Sequence, residues 1–402
     1  MSADTPQCVQ SPENSYRLWL WPDQVWRQSA AARHWSYSET YFRLIISRPK
    51  GWEWWVSWGQ AKRRSPHQLP YTRYSRSPLI RQITLSSAML TFQPPGFEQK
   101  VTETSLGIMA YYTQIVGGLW DPPQSSPDQG TLVCLHSLGG GSSAYEWSKV
   151  YGALAADYRI IAPDLIGWGQ SAHPKRDYCP EDYCDLIAHL IEQVAGAPAV
   201  VAATSLTAGV VVRLAIQRPE LFKALFLVSP SGNDDFGVGY AFSPPAILAG
   251  TPIIDRLIYQ WGAANEAAVT QFLTNFLFAH PERITPEIVQ AYTTCTQQPN
   301  AEYAALASLK GDICFDLTRY IGQLRVPTTI VGGEKAQFNR PDKTQRLAAM
   351  NRQAIQAVHV VPDVGVLPHV EAPSVVVGLL RAFLRETGDT GTPASSRSSL
   401  VG

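Results

Sequence analysis

Ser205 combines a nucleophilic side chain with a sequence context that could activate it. Residues 203–207 read ATSLT, at the point where an apolar run ends and a helix-like pattern begins. A serine on a sharp strand-to-helix turn, with small residues two positions away on each side as in G-x-S-x-G, is exposed for attack on a carbonyl carbon. Ala203 meets this size requirement, whereas Thr207 is bulkier and β-branched. We predict that Ser205 occupies such a turn as a nucleophile; the alternative is a serine that caps the next helix.

Two backbone N–H groups are predicted to stabilise the negative charge that such an attack creates. Residues 136–141 read HSLGGG after another apolar run, and a loop of this kind supplies one N–H group to an oxyanion hole. Leu138 is the predicted donor from this loop, and Leu206, directly after the serine, is the second. Ser137 stands where glycine is usual. A plain glycine-rich turn is the alternative interpretation of this loop.

The elements that must position these residues alternate between short apolar strands and helices. The strand-like segments are 106–116, 131–136, 158–164, 199–204, 225–229, 328–332 and 357–361, and a helix-like stretch runs from 206 to 217. This alternation predicts an α/β fold with a mostly parallel, doubly wound sheet that helices cover on both faces. Between 229 and 326 the chain reads as several helices, including 253–261 and 266–278, which predicts a helical insertion before the penultimate strand.

Residues 164–171 read DLIGWGQS, which fits the pattern D-x-x-G-x-G-x-S. A dinucleotide-binding fingerprint is the rival interpretation, but its third glycine is missing. With the Ser205 turn, the loop at 136–141, the long insertion and residues 365–373, this loop makes residues 97–385 resemble the α/β-hydrolase superfamily. The resemblance is to the cap-bearing group that includes haloperoxidase-like and epoxide-hydrolase-like proteins, and residues 145–169 look like its cyanobacterial and plastid members. It implies the fold and a helical cap, and it implies the reaction only where the triad is complete.

The general base of the resembled family is missing from its usual position. Residues 365–373 read GVLPHVEAP, where the family has a glycine followed by the catalytic histidine, as in G-H-x-x-H. Val366 occupies the first histidine position, and valine cannot accept a proton. His369 is the candidate substitute base, although the second histidine of this motif is usually structural in the family.

The acid of the triad is the second departure from the family. After the penultimate strand the family has an aspartate, and Ala336 stands at that position here. Some relatives take the acid from the preceding strand, where this chain has Asp234 and Asp235, and we take Asp235 as the candidate. The alternative is that these aspartates cap a helix at the entrance of the insertion.

Charge and tryptophan are distributed unevenly along the 402 residues. Residues 1–88 hold 12 Lys/Arg and 5 Asp/Glu, and they contain 8 of the 12 tryptophans. This basic segment could be a surface that binds membrane or nucleic acid, or it could be a small docking arm. We favour a third interpretation, in which it is an upstream stretch that is included because the start codon is placed too early. We predict a hydrolase core at 89–230 and 323–385, a helical cap at 231–322 and a disordered polar tail at 386–402.

Composition excludes several classes of partner. The net charge is zero, so no global attraction to nucleic acid is expected, and no apolar run of 18 residues predicts a membrane span. No signal peptide precedes the domain, and the six cysteines match neither a zinc pattern nor C-x-x-C, so reduced thiols and a cytoplasmic location are expected. We predict no metal and no cofactor. The predicted partner is a small apolar or acyl molecule in a capped pocket; the oligomeric state is not readable.

Two functions of different classes follow from the sequence. In the first, Ser205 attacks an ester or similar acyl substrate, with His369 or water as base and with weak or altered activity. In the second, the chain is a non-catalytic binding protein for a small molecule on the same fold. A cofactor-free lyase or isomerase is a third possibility.

Overall fold

The structure is a computed structural model that describes residues 92–120, 130–196, 198–231 and 264–387, together with the backbone of four short strands nearer the N-terminus. The chain divides into two compact units, Met1–Ser75 and Arg76–Gly402. In the first unit, the four strands form an antiparallel sheet in chain order. They are β1 (Gln7–Gln10), β2 (Arg17–Leu20), β3 (Leu44–Ser47) and β4 (Glu53–Val56). Strands of four residues are too short for an alternating pattern to stand out in the sequence.

The second unit is built on one eight-stranded sheet. Its strands are β5 (Phe97–Thr104), β6 (Gly107–Gln114), β7 (Thr131–Leu135), β8 (Arg159–Pro163), β9 (Ala199–Thr204), β10 (Phe222–Val228), β11 (Thr328–Gly333) and β12 (Ile355–Val361). Their order across the sheet is β12-β11-β10-β9-β7-β8-β6-β5. The six strands from β12 to β8 pair in parallel, and the hairpin of β5 and β6 joins antiparallel at one edge. The predicted α/β class and mostly parallel sheet are confirmed.

Helices cover both faces of this sheet. The α-helices of the described residues are α1 (Tyr145–Tyr151), α2 (Pro180–Leu190), α3 (Ser205–Gln217), α4 (Glu266–Phe272), α5 (Pro286–Thr296), α6 (Ala301–Lys310), α7 (Thr318–Ile321), α8 (Pro341–Ala349), α9 (Pro368–Glu371) and α10 (Pro373–Glu386). Side chains of α1 and α10 pack in one buried apolar cluster, and those of α2 and α3 pack in another. Strand β9 contributes alternate residues to the two clusters, so its run of apolar residues is buried on both sides.

Local signals in the sequence fix where several helices begin. Proline stands at the first position of α2, α5, α8 and α10, where a missing N–H group costs nothing. The side chain of Asn265 accepts a hydrogen bond from the Ala268 N–H group at 3.0 Å and caps α4, and Thr285 caps α5 in the same way through Ile288.

The insertion between β10 and β11 is helical where the structure describes it. It contains α4, α5, α6 and α7, and a single wider turn, Leu273–Leu277, extends α4. The predicted helix at 266–278 is therefore present. Residues 232–263 lie outside the described residues, and with them the predicted helix at 253–261.

The D-x-x-G-x-G-x-S loop closes around the carboxyl group of Asp164. Its Oδ1 accepts a hydrogen bond from the Ala144 N–H group and its Oδ2 accepts one from Gln170, each at 2.8 Å. Gly169 has φ +51, and a Cβ there would lie 2.2 Å from Cγ of Asp164. The loop thus anchors the segment before α1 to the end of β8, which is a structural use of these residues.

Candidate active site

Ser205 lies where β9 ends and α3 begins. Its φ is +54, a left-handed conformation that residues with a Cβ rarely adopt and that costs about 1–2 kcal/mol. Thr204 before it is extended, with φ −122 and ψ 142, so the chain turns sharply at the serine. The Ser205 carbonyl group accepts a hydrogen bond from the Ser231 N–H group at 3.0 Å, which ties the turn to the segment after β10. The serine is half-buried.

Of the two predicted oxyanion donors, Leu206 directly follows Ser205, and Leu138 lies in the loop at 136–141. Leu138 and Leu206 are buried, at 1% and 4% exposure. Within the described parts of the chain, neither backbone N–H group donates a hydrogen bond. Thr207 was expected to fit its position poorly, but its hydroxyl group donates to the His136 carbonyl oxygen at 2.7 Å. The threonine therefore binds the loop at 136–141 to the first turn of α3.

The buried carboxylate of Glu146 accepts hydrogen bonds from Ser137 in the loop at 136–141. Its Oε2 accepts a hydrogen bond from the Ser137 N–H group at 2.8 Å, and its Oε1 accepts one from the Ser137 hydroxyl group at 2.8 Å. The hydroxyl group of Tyr292, on α5, also donates to Oε1, at 3.0 Å. Burial alone would raise the pKa of Glu146, but contacts with His369 and Ser137 outweigh burial and lower this pKa to about 2. Glu146 is therefore an anion.

His369 lies behind the Ser205 turn, among buried groups. It is 0% exposed, its ring stacks on Trp147 with a centroid separation of 4.4 Å, and its Nε2 is 3.4 Å from Oγ1 of Thr204. The same Nε2 lies 3.8 Å from Oε2 of Glu146. Burial lowers the pKa of His369, and Glu146 offsets part of that effect. The structure thus brings His369 to the residue before Ser205, and its role as a base stays a prediction.

Apolar side chains occupy the two positions that the sequence predicts for the acid and the base. Ala336 and Val366 are each 3% exposed, and with Leu367 they form one buried apolar cluster. Leu277 and Val370 pack against the cluster. The two positions are therefore close together in the fold, although neither side chain can carry a proton.

The backbone of Val366 is anchored on both sides. Its carbonyl oxygen accepts a hydrogen bond from the Ser229 hydroxyl group at 2.7 Å, and its N–H group donates to the Leu277 carbonyl oxygen at 2.8 Å. Ser229 follows β10 with φ +44, two residues before the serine that contacts Ser205. The ends of β9, β10 and β12 are thus connected at one edge of the sheet, where ligands of open α/β sheets bind.

The carboxylate of Glu371, on α9, connects the insertion to this edge of the sheet. Its Oε2 accepts a hydrogen bond from the Gly365 N–H group at 2.7 Å, and its two oxygens accept bonds from Ala279 and His280 at 3.1–3.2 Å. A Cβ on Gly365 would lie 2.4 Å from the Leu277 carbonyl oxygen, so only glycine allows the two backbones to approach this closely.

An ionic cluster, which we call the latch, continues this contact towards solvent. It consists of His280, Arg283, Asp363 and Glu371. Arg283 contacts Asp363 at 3.0 Å and Glu371 at 3.2 Å, and Nε2 of His280 lies 2.7 Å from Oδ1 of Asp363. The Asp363 interaction raises the pKa of His280 above its ordinary value. The latch therefore joins the insertion to the loop that carries Val366.

The candidate acid Asp235, like Asp234, lies outside the described residues, so its position relative to Ser205 stays untested. In the part of the chain that the structure covers, no group of three or more His, Cys, Asp or Glu side chains could hold a metal ion. No helix among the described residues is long and apolar enough to cross a membrane.

Sequence reasoning missed Glu146 and Glu371 as functional candidates. A signal existed for Glu146, because it stands between Tyr145 and Trp147 in a stretch that is otherwise apolar or small. A charged residue at such a position is rarely buried without partners. Of its partners, Ser137 lies nine residues away, whereas Tyr292 lies 146 residues away, and no local pattern indicates that contact.

Comparison with known proteins identifies the family to which the chain belongs. Residues 132–379 match the Alpha/beta hydrolase family, and the chain belongs to it. Lipase 1 of Psychrobacter immobilis is 26% identical over 256 residues, which cover 63% of this chain and 76% of the lipase. An uncharacterised protein of Mycobacterium tuberculosis is 34% identical over 101 residues, 25% of this chain and 29% of that relative, so the match spans less than a third of its length.

Solved structures show the same fold. Carboxylesterase CesB of Bacillus subtilis superposes with a TM-score of 0.58 at 16% sequence identity, covering 76% of this chain and 97% of the esterase. At this level of identity the similarity shows the fold alone. The chain is therefore an α/β-hydrolase-fold protein with esterases and lipases among its relatives.

Proposed function

We propose that the chain is a serine hydrolase that acts weakly on small acyl esters, with Ser205 as its nucleophile. The observation that carries this proposal is the left-handed conformation of Ser205 at the end of β9. Such strain of about 1–2 kcal/mol persists where the turn exposes a reactive side chain. A serine that only capped α3 would have no need of it, because an N-cap residue adopts ordinary extended angles.

The proposed reaction uses few groups of the protein. Oγ of Ser205 attacks the ester carbonyl carbon, the N–H groups of Leu138 and Leu206 bind the resulting oxyanion, and the serine proton passes to water. The alkoxide leaves and takes a proton from water to become the alcohol. A second water then attacks the acyl-serine, which releases the carboxylic acid and regenerates Ser205. We assign His369 to the support of the turn through Thr204, because its Nε2 contacts that residue. Without a positioned base the rate falls by about 10⁴ to 10⁶, leaving about 10³ to 10⁴ over water.

A non-catalytic binding protein is the second candidate, and the cluster of Ala336, Val366 and Leu367 favours it. The three buried side chains lie at or next to the positions predicted for the acid and the base, and none of them can accept a proton. In this function the insertion acts as a cap over a small acyl or apolar molecule.

Labelling of the full chain with a fluorophosphonate probe separates the two candidates. The hydrolase predicts slow labelling that Ser205→Ala abolishes and Ser231→Ala preserves, since Ser231 is a neighbouring buried serine whose hydroxyl group has no partner among the described residues. A folded wild-type protein that stays unlabelled, yet is stabilised against heat by butyramide without turnover, would overturn the hydrolase in favour of the binding protein.

A further inference from the structure

The N–H groups on either side of Leu138 are bound within the protein. The Ser137 N–H group donates to Oε2 of Glu146 at 2.8 Å. The Gly139 N–H group donates to the Ser142 hydroxyl group at 3.2 Å. Among the described residues, the Leu138 N–H group has no acceptor. The loop at 136–141 thus leaves this group for a ligand, and the contacts of its two neighbours set the direction in which it points.

The contacts of both neighbours lead to the carboxylate of Glu146. The Ser142 hydroxyl group lies 2.8 Å from the Ser137 hydroxyl group, which in turn donates to Oε1 of Glu146 at 2.8 Å. Ser137 therefore contacts both oxygens of the carboxylate, one through its N–H group and one through its hydroxyl group. A displacement of the carboxylate would displace the backbone on both sides of Leu138.

Tyr292, on α5 of the insertion, holds this carboxylate from outside the loop. It is 1% exposed, and its hydroxyl group donates to Oε1 of Glu146 at 3.0 Å. On the opposite side, Nε2 of His369 lies 3.8 Å from Oε2. The backbone of Tyr292 also packs against the loop, because a Cβ on Gly141 would lie 2.8 Å from the Tyr292 carbonyl oxygen. Tyr292 thus contacts the loop and its carboxylate at two points.

From this geometry we infer that Tyr292 is a positioning residue, which sets the direction of the Leu138 N–H group through Glu146. The inference rests on the proposed reaction at Ser205. Oε1 has two donors in the described structure, and the other one, on Ser137, moves with the loop. Without the tyrosine hydroxyl group, the carboxylate and the loop can shift together. Because Tyr292 belongs to the insertion, the oxyanion hole is complete only while α5 packs against the loop.

Fluorophosphonate labelling of the full chain over a range of probe concentrations tests the inference. The series separates the maximal labelling rate from the concentration that gives half of that rate. Tyr292→Phe keeps the ring and removes the hydroxyl group. It is expected to lower the maximal rate by about tenfold or more, since the full loss of an oxyanion donor costs about 10² to 10³. The half-saturating concentration should stay within about twofold of wild type, because the binding surface is unchanged.

Tyr145→Phe is the matched control. It also removes a hydroxyl group that joins α1 to α5, since Tyr145 donates to Glu287 at 3.2 Å, but it leaves the contacts of the loop intact. Both variants are expected to unfold at lower urea concentrations than wild type, because each loses a hydrogen bond. Tyr145→Phe should keep the maximal labelling rate within about twofold of wild type. Equal slowing in the two variants would indicate a general loosening of α5 and overturn the specific role of Tyr292.

The failures of the inference and of the proposed function are distinguishable. Labelling of Ser205 at the same maximal rate in wild type and Tyr292→Phe would leave the hydrolase in place and overturn the role of Tyr292. A folded wild type that stays unlabelled would overturn both.

Amide hydrogen exchange of the wild-type chain decides if Tyr292→Phe does not fold. After correction for intrinsic rates, the Ser137 and Gly139 N–H groups are expected to exchange within about threefold of the amides at the centre of α5, because the loop and α5 open together. Exchange of the two loop N–H groups about tenfold or more faster than that of α5 would show that the loop opens without the helix, and would refute the inference.

Discussion

Restoring histidine at position 366 together with aspartate at position 336 is expected to create a faster esterase. Both positions belong to one buried cluster, and the backbone of Val366 is fixed by Ser229 and Leu277. Because the backbone there is already anchored, the new side chains need not reorganise the loop. A positioned general base contributes about 10² to 10⁴ to such reactions. We therefore expect hydrolysis of p-nitrophenyl butyrate and labelling of Ser205 to accelerate by at least about a hundredfold.

The stability of the same variants can be worked out from burial. Val366 is 3% exposed, so its replacement forfeits about 1.5–3 kcal/mol of apolar burial, and an unpaired buried imidazole costs about 1–3 kcal/mol more. An aspartate at 336 that accepts the imidazole N–H bond recovers part of this loss. The double variant is therefore expected to be about 1–2 kcal/mol more stable than the two single variants predict by addition.

Urea unfolding and ester hydrolysis of wild type, both single variants and the double variant measure these two effects. Val370→His is the matched control, because Val370 packs against the same cluster but stands at neither triad position. A folded double variant with additive stabilities and no gain in rate over Val370→His would refute the assignment of positions 336 and 366 to the lost acid and base.

Three further predictions concern the turn, the loop and the latch. Ser205→Gly should be about 1 kcal/mol more stable to urea than Ser205→Ala, because glycine relieves φ +54; equal stability would argue against strain. Thr207→Val should lose about 1–2 kcal/mol and Thr207→Ser much less, since only the hydroxyl group reaches the His136 carbonyl oxygen. Asp363 raises the pKa of His280 above its ordinary 6.5, so this contact stabilises the fold below that pH and is lost as pH rises through the raised pKa. His280→Asn should lower the Tm at about pH 6 and hardly change it at about pH 9, and a pH-independent loss would contradict this account.

The sheet was predictable because parallel strands buried on both faces leave a continuous apolar signal. The run at 199–204 coincides with β9 (Ala199–Thr204), and the run at 328–332 falls short of β11 (Thr328–Gly333) by one residue. Strand β10 begins at Phe222, three residues before the predicted start. The register with β9 shifts between Phe222 and Ala224, and exposed Lys223 interrupts the apolar pattern at that point.

The arrangement of the candidate site was predictable only where it follows from consecutive residues. The Ser205 turn and the loop at 136–141 are local, and they follow β9 and β7, which are neighbouring parallel strands of the sheet. His369 was selected by its spacing from Val366, but its contact with Thr204 joins residues 165 positions apart. No local sequence pattern indicates a contact over such a separation. The contact between Glu146 and Tyr292 could not be predicted for the same reason.

The environment of Glu146 also bears on the order in which the chain folds. The carboxylate exchanges water for donors on Ser137 and Tyr292, which lie 9 and 146 residues away along the chain. Bringing Tyr292 to Glu146 closes a long chain loop, which costs conformational entropy before the contact can form. A carboxylate that lost its water before then would lack hydrogen-bond donors to replace it. We therefore expect Glu146 to become buried after the transition state for folding, so substitutions there should speed unfolding more than they slow refolding.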